Sequence, residues 1–207
     1  MDNAIPVFDG HNDVLLRLLK SSDPVSGFLR GEERGHIDLK KAKAGSLVGG
    51  LFALYSPSTS EPLAFSRQMA GGEYKLPLPP RLSLEEARNP ILSMLATLLK
   101  IERSSLGGVA ICRTVKEIRS TIARGALAVV LHIEGADAID ANLDLLEILY
   151  TAGLRSLGPV WSRDNIFGHG VPFHFPSGPD IGEGLTADGE RLVKVCNGKR
   201  ILVDLSH

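Results

Sequence analysis

Leu127-Ala128-Val129-Val130-Leu131 is the stretch that decides the fold. Side chains of an extended segment point alternately to opposite faces. Here both faces are apolar. A strand with one wet face would alternate, whereas a strand of a parallel sheet covered by helices reads as a continuous apolar run. Four other short apolar segments share this character, at residues 5–9, 46–55, 154–161 and 200–205, with the central one spanning 126–133. Each is bounded by Gly, Pro or polar residues.

Helical patterns fall between these runs, at residues 12–19, 83–104, 114–124, 143–152 and 186–199. Ser83 and Glu86 have the spacing of a capping box, and Gly153 stands where a helix would end. Strand–helix alternation predicts an α/β fold with right-handed crossovers. Two long Pro- and Gly-rich stretches, 56–81 and 166–184, follow strands. Loops after strands build the active face of (β/α)8 barrels. A closed eight-stranded barrel takes about 250 residues. The expectation is a single domain over 1–207, a partial TIM-like (β/α)8 barrel with about five of eight strands, incomplete at its C-terminus.

Composition narrows the function. Lys and Arg total 23 against 24 Asp and Glu, for a net charge of −1. That leaves no basic excess for a phosphate backbone, and 5% aromatics give no stacking platform for single strands. Nucleic acid is therefore not an expected partner. Cys112 and Cys196 form no CxxC pair and read as two buried thiols. No apolar window is long enough to span a bilayer. Met1 to Pro6 shows no basic segment followed by an apolar one, so a cytoplasmic address is expected. Walker, dinucleotide and nucleophile-elbow motifs are absent from the sequence. The charged run 30–34 reads as a solvated face.

Three motifs carry ligand chemistry at strand ends. In Asp9-Gly10-His11-Asn12-Asp13, His11 and Asp13 are two apart and share a face if extended, so an imidazole and a carboxylate can converge on one divalent ion. The competing reading is an Asx-type cap of the next helix. In His132-Ile133-Glu134-Gly135, Glu134 ends an apolar strand, and a carboxylate there needs a partner: a metal, an ion pair or a helix cap. His132 shares its face and reads as a packing or supporting histidine. In Val203-Asp204-Leu205-Ser206-His207, His207 repeats the theme, with Asp204 and Ser206 placed to orient neighbours. His169 and His174 lie in the Gly/Pro-rich loop and read as loop histidines.

These motifs, with the 154–165 stretch, occur in one order along the whole chain, and in that order they resemble the membrane (renal-type) dipeptidase family. These are zinc metallopeptidases related to the amidohydrolases. The resemblance implies a (β/α)8-like barrel with a binuclear zinc site that hydrolyses dipeptides through a metal-activated bridging hydroxide. It implies that His11 and Asp13 hold the first zinc, that Glu134 is the catalytic carboxylate bridging both ions, and that His207 is the first of two histidines on the second. The family's second histidine, a substrate-binding arginine and a late aspartate lie further on. Trp161-Ser162-Arg163-Asp164, just before Asn165, departs from the animal enzymes, which place a substrate-contacting histidine there. The implied partner is a dipeptide; homodimer formation by the complete protein is left open. Two other readings stand beside this one: a non-catalytic metal-binding remnant, and an amidohydrolase-like enzyme acting on N-acyl or cyclic amides. The second class usually opens with HxH, against which Asp13 weighs.

Overall fold

The computed structural model describes residues 5–58, 69, 72–178 and 180–207. Eight strands and seven helices follow one another among them. The strands are β1 (Val7–Asn12), β2 (Leu47–Tyr55), β3 (Tyr74–Leu76), β4 (Val109–Ile111), β5 (Leu127–Glu134), β6 (Leu154–Gly158), β7 (Phe173–Phe175) and β8 (Leu202–Val203). The helices are α1 (Val14–Leu18), α2 (Pro24–Arg30), α3 (Leu39–Ala44), α4 (Leu84–Ser104), α5 (Val115–Ala123), α6 (Asp144–Ala152) and α7 (Ala187–Lys199).

The main sheet runs β1-β2-β5-β6-β8, with β4 also beside β5. β1 pairs parallel to β2, Val7 opposite Leu47 and Asn12 opposite Phe52. β4 pairs parallel to β5, Val109 opposite Leu127. The fold is mixed α/β, a partial (β/α)8-like barrel, and all five apolar runs read from the sequence are strands in it. Seven of the eight residues of β5 are buried, from Leu127 to Ile133, as a strand covered on both faces requires.

The differences from expectation are local. β1 continues to Asn12, so the first helix starts only at Val14. β6 stops at Gly158. β4, α2 and α3 are additional elements. β3 and β7 form an antiparallel ribbon, Tyr74 opposite Phe175 and Leu76 opposite Phe173, within the two long loops. The run 30–34 is not wholly solvated: Glu32 is half-buried and pairs with Arg17, and Lys41 donates to its backbone carbonyl at 2.7 Å.

Helix ends follow the chemistry of their residues. At α4, Ser83 N donates to Glu86 Oε2 at 2.8 Å and Glu86 N to Ser83 Oγ at 3.3 Å, the reciprocal capping box. At α5, Glu117 N donates to Thr114 Oγ1 at 3.1 Å. Thr114→Ala is expected to cost about 1 kcal/mol, read as a lower urea midpoint at unchanged slope.

The chain divides into two compact units, one of residues 1–55, 90–133 and 149–156, the other of 56–89, 134–148 and 157–207. The core of the first includes Leu15, Leu18, Phe28, Phe52, Leu54 and Leu131, with the Phe28 and Phe52 rings edge-to-face at 6.5 Å. The core of the second includes Leu145, Leu157, Phe167, Leu192, Cys196 and Ile201. Both cysteines are free and buried; burial raises the Cys112 thiol and pushes Cys196 up to about 11. Among the described residues no helix is long and apolar enough to cross a membrane.

Candidate metal centre

In the first unit the decisive side chain is Asn12. It turns inward, its Nδ2 donating to Leu51 O at 3.2 Å and to Asp9 Oδ2 at 3.1 Å. Its neighbours on either side, His11 and Asp13, are thereby left on the other side of the backbone. His11 Nε2 lies 3.4 Å from Asp13 Oδ1. Asp13 occupies the N-cap position of α1, yet its side chain accepts no capping hydrogen bond. The carboxylate is turned to the imidazole, while the Asx turn at the start of α1 is made by its neighbour Asn12, whose Oδ1 accepts from Val14 N at 3.4 Å. The hydrogen bond from His11 holds the Asp13 carboxyl below its ordinary range, against partial burial, with the charges of His11 and His132 adding to the lowering. Asp13 is therefore anionic at neutral pH, the form a metal needs.

His132 is buried and hydrogen-bonded through Nδ1 to Ser156 Oγ at 2.9 Å. Its ring meets that of His11 edge-on, centroids 5.4 Å apart. Ser156 thus fixes the orientation of an imidazole that supports His11.

In the second unit, Glu134 ends β5 and its Oε1 lies 2.8 Å from His207 Nε2. The chain turns sharply after it. Gly135 adopts φ +79°, a conformation open to glycine. Gly135 N donates to Gly158 O and Ala136 N to Pro159 O, both at 3.1 Å. A Cβ on Gly135 would lie 2.7 Å from Asp137 Oδ2. Gly135→Ala is expected to cost about 1–2 kcal/mol from the left-handed backbone alone, measurable by denaturant unfolding.

Asp204 N donates to Leu157 O at 2.8 Å, and Ser206 N to Asp204 Oδ1 at 2.9 Å. A cavity of about 550 Å³ in this unit is lined in part by Asp204, His207, His169, Val160, Val171 and Leu205, within the size range of small-ligand sites. His169 pairs with Glu183 at 3.2 Å, and His174 belongs to β7.

One cluster was not foreseen from sequence. The Arg163 side chain is 0% exposed and that of Asp137 3%, with Nη1 to Oδ1 at 3.3 Å. Arg163 also donates to Ser56 O at 2.9 Å and Ser58 Oγ at 2.6 Å, and its guanidinium lies 5.6 Å from the Trp161 ring centre. Asn165 is buried too. It shapes the same loop through Nδ2 to Pro159 O and through Oδ1, which accepts from Phe167 N.

His11, Asp13, His132, Glu134 and Asp204 are among the described side chains whose donor atoms suit a metal ion. Bonds of about 2.0–2.1 Å at a tetrahedral angle separate two zinc ligand atoms by roughly 3.3 Å. The 3.4 Å between His11 Nε2 and Asp13 Oδ1 fits that spacing. The 2.8 Å between Glu134 and His207 is a hydrogen bond that a metal would widen.

Known proteins resemble the chain along nearly its whole length. The profile of the membrane dipeptidase family (peptidase family M19) matches residues 1–207. A solved metallo peptidase, dipeptidase AC, is 49% identical over 99% of this chain and 58% of its own, with a TM-score of 0.93. A metallo peptidase from Rhodobacter sphaeroides, solved with a phosphinate mimic of the dipeptide L-Ala-D-Ala, is 48% identical over 99% of this chain and 59% of its own, with a TM-score of 0.95. An uncharacterized protein in the PQQ-III 3′ region of Acinetobacter calcoaceticus is 38% identical over 98% of this chain and 64% of its own. The chain thus spans about three fifths of the length of these relatives.

Proposed function

Because the chain belongs to the membrane dipeptidase family, we propose that the whole protein is a zinc-dependent dipeptidase. Residues 1–207 would supply part of its catalytic domain. His11 and Asp13 are assigned to one zinc, Glu134 to both, and His207 to the second. The observation that carries the assignment is the Asp13 carboxylate, which forgoes its helix-cap role and pairs with His11 instead. The ligand set is mixed imidazole and carboxylate, which suits zinc.

When bound, zinc would supply Lewis acidity and would acidify a water at neutral pH. The protein's share is positional. Asp13 brings a full negative charge. Glu134, at the end of a strand buried on both faces, offers two oxygens from a rigid support. Ser156 fixes His132, which in turn braces His11. This chemistry does not call for a nucleophilic Ser or Cys.

A dipeptide is the substrate class. The L-Ala-D-Ala mimic held by the R. sphaeroides relative makes that dipeptide the first to assay, beside L-Ala-L-Ala. Release of free alanine by the whole protein is expected to depend on zinc and to stop with a chelator. Chelator-resistant hydrolysis, or turnover of N-acyl amino acids in preference to dipeptides, would overturn the proposal.

A further inference from the structure

We propose that Arg163 is a positioning residue for Glu134, acting through Asp137 on the turn that carries the carboxylate. The inference rests on the reading of Glu134 as a metal ligand.

Two residues, Gly135 and Ala136, separate Glu134 from Asp137, and the chain turns at Gly135. Two backbone bonds, Gly135 N to Gly158 O and Ala136 N to Pro159 O, hold one side of it. At its far end Asp137 pairs with Arg163 at 3.3 Å. Arg163 is in turn tied to the segment after β2, through Ser56 O and Ser58 Oγ. One guanidinium therefore fastens the Glu134 turn to a second post-strand segment, and the planar fork of arginine suits several acceptors at once.

The arginine is itself held in a built position. Trp161 and Arg163 form a local β-bridge, and Val171 N donates to Trp161 O at 3.1 Å. Gly170 lets its own loop close on the arginine: a Cβ there would lie 2.4 Å from Arg163 N. Trp161 packs beside the turn, for a Cβ on Gly135 would come within 3.6 Å of Trp161 Cβ. A fully buried arginine with these contacts is placed to hold the turn rather than to face solvent. Its position makes it the anchor that sets where Glu134 points.

Zinc affinity and ligand geometry are the readouts. Zinc binding is measured by competition with a chromophoric chelator, and cobalt substitution gives a visible spectrum that reports ligand geometry. The Arg163 guanidinium lies 5.6 Å from the Trp161 ring centre, so Trp161 emission is sensitive to the clasp. Arg163→Lys keeps the charge and loses the fork. It is expected to weaken zinc binding about 10- to 100-fold, the usual effect of removing a ligand's support, to alter the cobalt spectrum and to shift Trp161 emission. If that variant fails to fold, the pair Arg163→Met with Asp137→Asn, which removes both charges, is expected to fold and show the same loss. Unchanged zinc affinity and cobalt spectrum in a folded variant would overturn the proposal while Glu134→Gln still loses metal. If Glu134→Gln binds zinc as the unaltered chain does, the metal reading falls, and this inference with it.

Discussion

Glu134→Gln is expected to lower kcat/KM for dipeptide hydrolysis by about 100- to 10,000-fold in the whole protein. Lewis-acid stabilisation by bound metal supplies several kcal/mol at the transition state, and each 1.36 kcal/mol is tenfold in rate. The substitution keeps shape and volume. It removes the negative charge and one of the two oxygens that Glu134 would offer to metal under the proposed assignment. Zinc content per chain should fall in parallel. Stability should change less than activity, because glutamine keeps the volume of Glu134 and a side-chain oxygen beside His207 Nε2. The check is alanine release from L-Ala-D-Ala together with zinc analysis and a thermal melt of the same preparations. Wild-type turnover by a variant that still melts cooperatively would remove Glu134 from the chemistry.

The parts of this site and fold that were legible in the sequence are those fixed by local pattern. The apolar run at 127–131 announces a strand dry on both faces, and the structure buries it so. Ser83 and Glu86 close the capping box that their spacing implies. Other elements left too weak a trace. β4 is a Val-Ala-Ile triplet, too short for periodicity to register. α2 and α3 are only seven and six residues long, too short for a helical period to stand out; the signal that was available lay in their caps, Asp23 before Pro24 and Asp38 before Leu39, both of which accept the expected backbone bonds. The β3–β7 ribbon joins residues about a hundred positions apart, which no local reading can reach. The HxD motif read correctly as two residues on one side, but only the structure shows why: Asn12 is anchored inward between them. Arg163 is the largest gap. No local pattern marks Arg163 as buried, and its burial is decided by Ser56, Ser58 and Asp137, all distant in sequence.

Arg163→Met alone is expected to destabilise the protein by about 3–5 kcal/mol, the cost of breaking a buried ion pair by removing one partner. The pair qualifies, since both side chains are essentially inaccessible and 3.3 Å apart. Burial already pushes the Asp137 carboxyl above its ordinary range, and the Arg163 guanidinium opposes that rise. Without the guanidinium the carboxyl rises further. A carboxyl whose folded value lies above its unfolded one costs stability at any pH above the unfolded value, most at and beyond the folded value. The deficit of Arg163→Met should therefore shrink as pH falls toward the ordinary carboxylate range, where Asp137 takes up a proton and is no longer a buried charge. Adding Asp137→Asn removes the same charge by substitution and should recover most of the loss at neutral pH, since exchanging a whole buried pair for uncharged groups is often neutral. Urea unfolding of the two single variants, the double variant and the parent, at neutral and mildly acid pH, gives the coupling directly as a double-mutant cycle. Additive losses with no pH dependence would mean that the pair does not act as a unit and that the two side chains are held independently.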